Sequence, residues 1–484
     1  MNNPIPRVEL PFTDLGNAER LVARHSHCLR YCYPWRKWLF FNGRHWAVDD
    51  TGEVERRAAE TVRSLIEEAR QLAAIAQQEE TEPERNRLLD VVDATISWSR
   101  RSESAKQLRA MIELSKSRPS IPVKPDQLDV DPWVLNTRNG TIDLRNGELR
   151  RHASDDLITK ICPVEFQPDA RYTAWDEFLN KILPEADLQS FVQRAAGYSI
   201  TGLTTEEVFF FPFGPSATGK STFLRAISGT LGDYADVADF ETFLEHNRNG
   251  ASNDIARLAG KRMVLSVEVS DGAKFAEGLV QQVTGGDRIT ARHLYAEFFE
   301  FVPAFKLWLA SNNRPKVRDD NGALWRRIVQ IPFTEHIPEE ERDSGLKTAL
   351  CDPEIAGPAI LAWLVQGCLE WQKGGLGIPQ QVRSMTEEYQ KEMDPLATFL
   401  EECCILVTDA TVANPLLREA YLRWAKANNV RRPLSQKGVT QRLKGIEGVS
   451  QVVHSGARIW KGLGLIAPEF DDGYALATHS GYFP

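Results

Sequence analysis

The stretch that decides the fold is Gly214-Pro215-Ser216-Ala217-Thr218-Gly219-Lys220-Ser221, which fits the pattern G-x-x-x-x-G-K-[ST]. The apolar run Val208-Phe209-Phe210-Phe211 precedes it, and a helix-like segment beginning at Thr222 follows it. This order of strand, glycine-rich loop and helix points backbone N–H groups at an anion, and the helix dipole favours negative charge there. Residues 214 to 222 therefore predict a loop that binds the phosphates of ATP.

Two side chains at the end of this loop have separate expected roles. We expect the Lys220 ammonium to contact the β- and γ-phosphate oxygens of the nucleotide. The Ser221 hydroxyl is expected to hold Mg²⁺, which prefers oxygen ligands. ATP and Mg²⁺ are therefore the predicted cofactors of the site.

Two more apolar runs, residues 262–267 and 305–310, predict further strands of a parallel α/β sheet. Glu268 directly follows the first of these runs. An unpaired carboxylate at the end of a buried strand costs stability unless it has a use. We therefore predict that Glu268 is the general base or a ligand of Mg²⁺ and its water. Asp271 is a weaker candidate for a second acid and is alternatively a turn residue.

Polar residues also follow the third predicted strand. Asn312 stands at the strand tip, where the γ-phosphate and the attacking water would lie, so it is expected to sense the nucleotide by hydrogen bonding; the alternative is an asparagine-rich turn. Arg326 and Arg327 come later, before another apolar strand. One of them is expected to reach the γ-phosphate of a neighbouring subunit as an arginine finger. The alternative for this pair is a surface ion pair that contributes little.

Composition bounds the class of protein. A chain of 484 residues suggests about three domains, and 42% hydrophobic with 26% charged residues indicates a globular protein. The sequence starts without a basic and apolar leader, and no apolar stretch approaches membrane-spanning length. Seven scattered cysteines favour a reducing compartment over a disulfide framework. We therefore expect a cytoplasmic protein without membrane contact.

The first part of the chain reads as a mixed α+β domain. Residues 33–48 predict two aromatic strands around the turn Asn42-Gly43, and the spacing of apolar residues from Val54 to Ala76 predicts an amphipathic helix. The stretch from His25 to Cys32 contains two His and two Cys residues, which invites comparison with a Zn²⁺ site. Its spacing fits no common zinc finger, so we interpret it as a helix with Cys28 and Cys32 on one buried face.

The last part of the chain is basic although the whole has a net charge of −9. Between residues 414 and 461, ten basic residues stand against two acids, a surplus that can bind a phosphate backbone. Helices near 396–404, 415–428 and 435–444 and a β-wing from 449 to 463 are compatible with a winged helix. The predicted division is a mixed N-terminal domain, an ATPase domain, a helical extension, a basic winged-helix-like domain and a tail: residues 1–170, 171–345, 346–393, 394–466 and 467–484.

The order of these motifs resembles superfamily 3 helicases, specifically the phage and plasmid primase-helicase type related to poxvirus proteins. The resemblance covers about residues 30–465 and rests on motifs in the right order and spacing. They are the phosphate loop, Glu268, the stretch from Thr284 to Arg292, Asn312 and the stretch from Ala323 to Phe333. The resemblance implies an AAA+ P-loop NTPase core and a homo-hexameric ring with ATP sites between subunits. It also implies 3′ to 5′ translocation on single-stranded DNA.

The resemblance also implies roles for single residues. Lys220 and Ser221 would form the first motif and Glu268 the second, with Asn312 as the sensor. The finger in trans would be Arg327 or Arg326. The segment from Arg288 to Glu297 would form a hairpin in the central channel, and its expected contacts with DNA are Arg288, Arg292 and His293.

Two departures from the family pattern matter. Many members carry adjacent acids in the second motif, whereas Glu268 is followed by Val269 and Ser270, which leaves the second Mg²⁺ partner open. No primase-type polymerase domain is recognisable in the first 170 residues, so a separate primase or initiator protein is the expected partner.

These observations predict an ATP-dependent DNA helicase that acts on single-stranded and forked DNA in the replication of a phage, plasmid or integrated mobile element. One alternative is a replication initiator or regulatory DNA-binding protein that uses ATP only for assembly. Another is a P-loop small-molecule kinase, which shares the loop but has no need of Asn312 and the arginine pair.

Overall fold

The N-terminal part of the chain packs helices beside a small mixed sheet. The computed structural model describes residues 10–245, 253–267, 273–292, 297–317, 322–428, 430, 433–454 and 456–466. The first elements are α1 (Asp14–His25), β1 (Leu29–Cys32), β2 (Lys37–Phe41), β3 (Trp46–Val48), α2 (Glu53–Gln78), α3 (Glu82–Ser102), α4 (Ala105–Ser115) and β4 (Pro122–Val123). The strand order is β3-β2-β1-β4, with β4 parallel to β1 and the other pairs antiparallel.

The local sequence explains most of these elements. The apolar residues that predicted a helix are buried along one face of α2: Val54, Ala58, Val62, Leu65, Ala69 and Ala76. The predicted turn at Asn42-Gly43 connects β2 and β3, and Gly43 has the positive φ of 92° that such turns need. The interpretation of Cys28 to Cys32 as a helix is wrong. α1 ends at His25, and Leu29–Cys32 is a strand that pairs with β2 and β4.

A five-stranded parallel sheet forms the centre of the molecule. The elements of this part of the chain are, in order, β5 (Val134–Thr137), β6 (Gly140–Asp143), β7 (Glu148–Arg150), α5 (Thr173–Ile182), α6 (Ala186–Ser199), β8 (Phe209–Phe213), α7 (Lys220–Leu231), β9 (Ala235–Val237), α8 (Asn253–Ala256), β10 (Met263–Val267), α9 (Glu277–Thr284), β11 (Ile289–Arg292), β12 (Phe298–Phe301), β13 (Lys306–Ala310) and β14 (Ile328–Pro332). The sheet order is β14-β8-β13-β10-β9, all parallel. The predicted parallel α/β sheet is confirmed. Its strands β13 and β14 are buried throughout, as expected where helices cover both faces, whereas Val237 of the edge strand β9 is exposed.

Two buried cations support the amino-terminal edge of this sheet. Arg262, just before β10, donates from Nη1 to the carbonyl of Ile200 at 2.8 Å. Lys306, the first residue of β13, donates to the carbonyls of Leu203 and Ala304 at 3.0 and 3.1 Å, and burial lowers its pKa well below the usual value. The last carbonyls of a helix lack partners within that helix, and positive charge is favourable there. These side chains thus fix the loop that connects α6 to β8.

The next helices are α10 (Ser344–Cys351), α11 (Gly357–Gly374) and α12 (Gln380–Glu392). α10 and α11 pack against α7, and α11 also packs against α6, whereas α12 packs against β14. α6 and α11 cross at a point where two glycines meet: a Cβ on Gly197 would overlap the backbone of Gly367 and Cys368, and a Cβ on Gly367 would overlap the carbonyl of Gln193. The backbones therefore touch, and the two helices share one hydrophobic core with the sheet.

Gly367→Ala is expected to lower the free energy of unfolding of this core by about 3 kcal/mol, because the added methyl group forces the crossing helices apart. Helix propensity alone would favour alanine by about 1 kcal/mol, so the sign tests the packing. Gly374→Ala in the same helix is the control, since nothing lies within 4 Å of its added Cβ. Calorimetric unfolding of both variants measures the difference. Equal stability of the two variants would contradict the close crossing.

The C-terminal part has its own core. Its elements are α13 (Pro395–Cys403), β15 (Cys404–Ile405), β16 (Thr411–Ala413), α14 (Asn414–Ala427), α15 (Gln436–Leu443), β17 (Ser450–His454), β18 (Ala457–Lys461) and β19 (Gly464–Leu465). Phe399, Tyr421 and Trp460 are buried in its core. The helices and the β17–β18 hairpin lie where the sequence predicted them, while the tail 467–484 falls outside the described residues. Of the helices that the structure describes, none combines the length and apolar character needed to cross a membrane.

Candidate nucleotide-binding site

The predicted phosphate loop lies between β8 and α7, at the carboxyl edge of the parallel sheet. Gly214 has a φ of 155°, and a Cβ there would overlap the carbonyl oxygen of Phe333. Phe333 in turn donates its N–H to the carbonyl of Phe213 at 2.8 Å. Only glycine lets the chain leave β8 so close to the segment after β14. The ligand sites of open α/β sheets lie at this edge, outside the carboxyl ends of the strands.

Lys220 occupies the interior of the loop. Its side chain is buried, and Nζ donates to the carbonyls of Gly214 and Pro215 at 2.8 and 2.7 Å and to Oγ1 of Thr218 at 3.0 Å. These acceptors are neutral, and burial lowers the pKa of the Lys220 ammonium to about 8. A buried cation that contacts only neutral oxygens is stabilised when an anion arrives. The loop therefore fits the phosphates of a nucleotide.

The first turn of α7 supplies the remaining donors. Gly219 is the N-cap residue of α7, and glycine has no side chain that could accept hydrogen bonds from the first backbone N–H groups of the helix. Ser221 and Thr222 lie half-buried in this turn, next to Lys220. A hydroxyl oxygen is a suitable ligand for Mg²⁺, so Ser221 fits its predicted role. Glu268 and Asp271, the predicted acids, lie outside the described residues.

Two side chains touch the loop from neighbouring strands. Asn312, just beyond β13, donates from Nδ2 to Oγ of Ser216 at 3.1 Å, so the structure brings the predicted sensor onto the loop. From the other side, Nδ1 of His336 lies 3.3 Å from the carbonyl oxygen of Ser216, and the N–H of Ile337 donates to the carbonyl of Ala217 at 2.9 Å. His336 belongs to no motif in the sequence. Only its place shortly after the carboxyl end of β14 would have indicated it.

The arginine pair lies at the opposite edge of the sheet. β14 runs parallel to β8 with Ile328 beside Phe209, so Arg327 lies beside Val208. That position lies six residue steps before Gly214, a backbone distance of about 20 Å that exceeds the reach of an arginine side chain. Neither Arg326 nor Arg327 is therefore brought to the loop of its own chain.

Arg327 has a partner at that edge. Its Nη2 lies 3.2 Å from Oε2 of Glu207, its side chain is 19% exposed, and its buried Nε has no hydrogen-bond partner in the part of the chain that the structure describes. Arg326 is exposed. The ion pair holds the Arg327 guanidinium close to the surface with one nitrogen still unsatisfied.

Arg314 is a further arginine that sequence reasoning missed. Its guanidinium lies 4.7 Å from the ring centroid of Phe213, the last residue before the loop. It donates to Oε1 of Gln330 at 3.0 Å and to Oε2 of Glu392 at 2.5 Å. Arg314 thus links α12 to the strand that carries the loop.

The predicted channel hairpin is present as β11 and β12, which pair antiparallel. Arg292 stands opposite Phe298, with its guanidinium 4.8 Å from the ring centroid, and Phe298 is 58% exposed. Arg288 lies 3.8 Å from Glu300 across the same hairpin, and both side chains are well exposed. His293 and the tip of the hairpin lie outside the described residues.

The known proteins and families that this chain matches are similar to it over the parts of the chain that carry the motifs. Three family models match: D5 N terminal like over residues 18–184, a family of unknown function (DUF5906) over residues 213–327, and Poxvirus D5 protein-like over residues 391–454. "Putative helicase L207/L206" of Acanthamoeba polyphaga mimivirus is 25% identical over 428 residues, which cover 81% of this chain and 43% of that protein. "Putative helicase 022R" of Frog virus 3 (isolate Goorha) is 27% identical over 396 residues, 64% of this chain and 41% of that protein.

By these matches the chain is similar to primase-helicases of the phage and poxvirus type. The resemblance predicted from the motifs is thus confirmed. The chain spans about two fifths of the length of the curated relatives described above. A solved apo structure of the NrS-1 C terminal region (305-718) aligns with 93% of this chain and 99% of that chain, at 10% sequence identity and a TM-score of 0.49.

Proposed function

We propose that this chain is the motor of an ATP-dependent DNA helicase that acts in the replication of a virus, phage, plasmid or integrated element. Its viral relatives carry the word helicase in their names, which supports this class. The observation that carries the proposal is the buried Lys220 ammonium, whose hydrogen-bond acceptors among the described residues are neutral oxygens of a phosphate-type loop. A highly charged anion stabilises such a buried ammonium most. ATP is such an anion, and its hydrolysis also supplies free energy for movement.

Each residue of the site has a separate role in the proposed hydrolysis of ATP. Lys220 leaves the loop carbonyls and binds the β- and γ-phosphate oxygens, while Ser221 holds Mg²⁺. When bound, Mg²⁺ neutralises charge that develops on the phosphate oxygens. Glu268 orients and deprotonates the attacking water, and Asn312 reports through Ser216 whether the γ-phosphate is present. The sheet order with the loop after β8 supports an AAA+ core for this chemistry.

The position of the arginine pair supports a ring. Arg327 lies about 20 Å along the sheet from the loop of its own chain, so the loop that it can complete is that of a neighbouring subunit. We propose a homo-hexamer in which Arg327, or Arg326, reaches the γ-phosphate of the adjacent subunit. Single-stranded DNA then passes the β11–β12 hairpins in the 3′ to 5′ direction, and a separate primase or initiator protein supplies priming.

The basic C-terminal part adds a second proposed element. Its three helices and the β17–β18 hairpin support a winged-helix-like module. Lys437, Lys444 and Arg458 are exposed there, whereas Arg442 pairs with Asp394 at 2.5 Å. The exposed cations are the ones available to a phosphate backbone.

A strand-displacement experiment tests the proposal. The full chain is incubated with forked DNA carrying either a 3′ or a 5′ single-stranded tail, with ATP or a non-hydrolysable analogue. We expect displacement with ATP alone and faster loading on the 3′ tail, together with phosphate release that single-stranded DNA stimulates. Displacement with the analogue, or phosphate transfer to a small molecule in place of water, would overturn the helicase assignment.

Arg292→Ala is expected to weaken single-stranded DNA binding and to uncouple ATP hydrolysis from unwinding, because Arg292 is exposed beside Phe298 on the hairpin. Loss of one phosphate contact should flatten the dependence of log affinity on log salt by about 0.7. Thr290→Ala is the control, since Thr290 is exposed on the same strand and uncharged. Salt titrations of fluorescence anisotropy give the slope. An unchanged slope and full unwinding by Arg292→Ala would remove this residue from the DNA path.

A further inference from the structure

The turn between β1 and β2 exposes two aromatic side chains. Tyr33 and Trp35 are 50% and 43% exposed, although both belong to residue types that are usually well covered. Tyr33 is held at one side by Tyr31, with ring centroids 4.8 Å apart in a T-shaped contact. Tyr33 is thus contacted by a neighbouring ring while half of its surface stays exposed, and exposed aromatic rings are what base stacking requires.

The backbone of the same turn includes a residue in the left-handed region. The N–H of Arg36 donates to the carbonyl of Tyr33 at 3.1 Å, and Arg36 has a φ of 54°. This is the left-handed region, where glycine is favoured and a longer side chain carries a steric cost. A residue kept there against that cost often serves a site, and here Arg36 directly follows Trp35 with its side chain exposed.

Two more cations stand close to this turn. Lys37 is the exposed first residue of β2. The parallel register pairs Cys32 with Val123, so Lys124 lies beside Tyr33. Within the segments that the structure describes, Arg36, Lys37 and Lys124 have no carboxylate partner. We call the surface formed by Tyr33, Trp35, Arg36, Lys37 and Lys124 the aromatic turn.

We propose that the aromatic turn is a second binding site for single-stranded nucleic acid, separate from the nucleotide site and from the β11–β12 hairpin. Trp35 and Tyr33 stack on bases, and the three cations pair with the phosphates on either side. Stacking is tolerant of sequence because every base has a π-face, so the site holds a strand without reading it. The ligand class agrees with the proposed helicase function, but binding at this turn requires neither ATP nor a ring.

Crosslinking and binding test the aromatic turn directly in the full chain without ATP. An oligo-dT strand carrying 5-iodouracil is irradiated with the protein, and the attached peptides are identified by mass spectrometry. We expect a crosslink at Tyr33 or Trp35. In anisotropy titrations with fluorescein-labelled oligo-dT, Trp35→Ala should weaken binding on the order of ten-fold, while Trp35→Phe keeps most of the affinity. Leu89→Ala is the control, since Leu89 is also exposed and apolar in this part of the chain.

Arg36→Gly separates binding from folding. Glycine fits the positive φ of this position, so the variant should be at least as stable as the original protein. It should nevertheless bind oligo-dT more weakly, with a salt slope lower by about 0.7. Affinities of all variants within two-fold of the original, without a crosslink at the turn, would overturn the proposal.

Other outcomes have distinct meanings. A change of oligomeric state in Trp35→Ala, measured by light scattering, would overturn the proposal in favour of a contact between copies of the chain. A crosslink at the turn in a protein that shows no DNA-stimulated phosphate release would support this site while the helicase proposal fails. Phosphate release without any effect of the turn variants would show the reverse.

Discussion

Arg327→Ala is expected to reduce ATP hydrolysis by a factor on the order of 10³ to 10⁵, the range in which arginine fingers act, while ATP affinity stays close to that of the original protein. The reason is geometric. Arg327 lies at the amino edge of the sheet and the phosphate loop at the carboxyl edge, so Arg327 contributes to hydrolysis only across a subunit boundary. Steady-state phosphate release and equilibrium binding of a fluorescent ATP analogue measure the two effects.

Glu207→Gln provides the matched control for this prediction. It removes the ion pair between Glu207 and Arg327 without touching the arginine. If Arg327 acts only by holding its own chain together, the two variants should lose activity alike. We expect Glu207→Gln to keep most of the hydrolysis. Equal losses in both would point to a structural role for the pair.

Mixing variants tests whether the sites are composite. Lys220→Ala subunits keep a finger but have no functional loop, and Arg327→Ala subunits have the opposite defect. Rings that contain both should regain part of the ATPase activity, because some boundaries combine an intact loop with an intact finger. No recovery in rings shown by native mass spectrometry to be mixed would place the site within one chain or transfer the role to Arg326.

Glu268→Gln is expected to bind ATP with nearly unchanged affinity and to hydrolyse it 10² to 10⁴ times more slowly, the usual contribution of a general base. The amide keeps the size of the side chain but does not accept the proton of the attacking water. Lys220→Ala should behave differently and lose nucleotide binding itself. The substitution removes the ammonium of Lys220, which among the described residues is the only buried ammonium at the loop. Substantial turnover by Glu268→Gln would move the role of base elsewhere, with Asp271 as the next candidate.

Sequence patterns sufficed for the parts of the fold that are locally determined. The phosphate loop, α2 and the turn at Asn42-Gly43 follow from spacing and turn chemistry within about 25 residues. The stretch from Leu29 to Cys32 shows where this approach ends. Its composition allows a helix, but the strand is fixed by pairing with β2 and with β4, which lies some 90 residues away in sequence. Pairing at that separation is not written in local periodicity.

The site shows the same division between local and distant information. Lys220, Ser221 and Asn312 were accessible from the sequence because each follows a strand in a recognisable pattern. His336 and Arg314 were not, since their roles depend on which strands are neighbours in the sheet. The position of Arg327 also depends on the parallel register of β14 with β8. The sequence motif predicted a role as an arginine finger, but it did not predict the distance between Arg327 and the loop.

The glycine crossing of α6 and α11 has a mechanical consequence. Where two backbones touch, no side chain lies between them to change rotamer, so we expect α6 and α11 to move together. Nucleotide turnover then has no hinge at this crossing through which to open the subunit. In the proposed ring, the movement that drives DNA would then occur at the boundaries between subunits, where each rigid subunit tilts against the next.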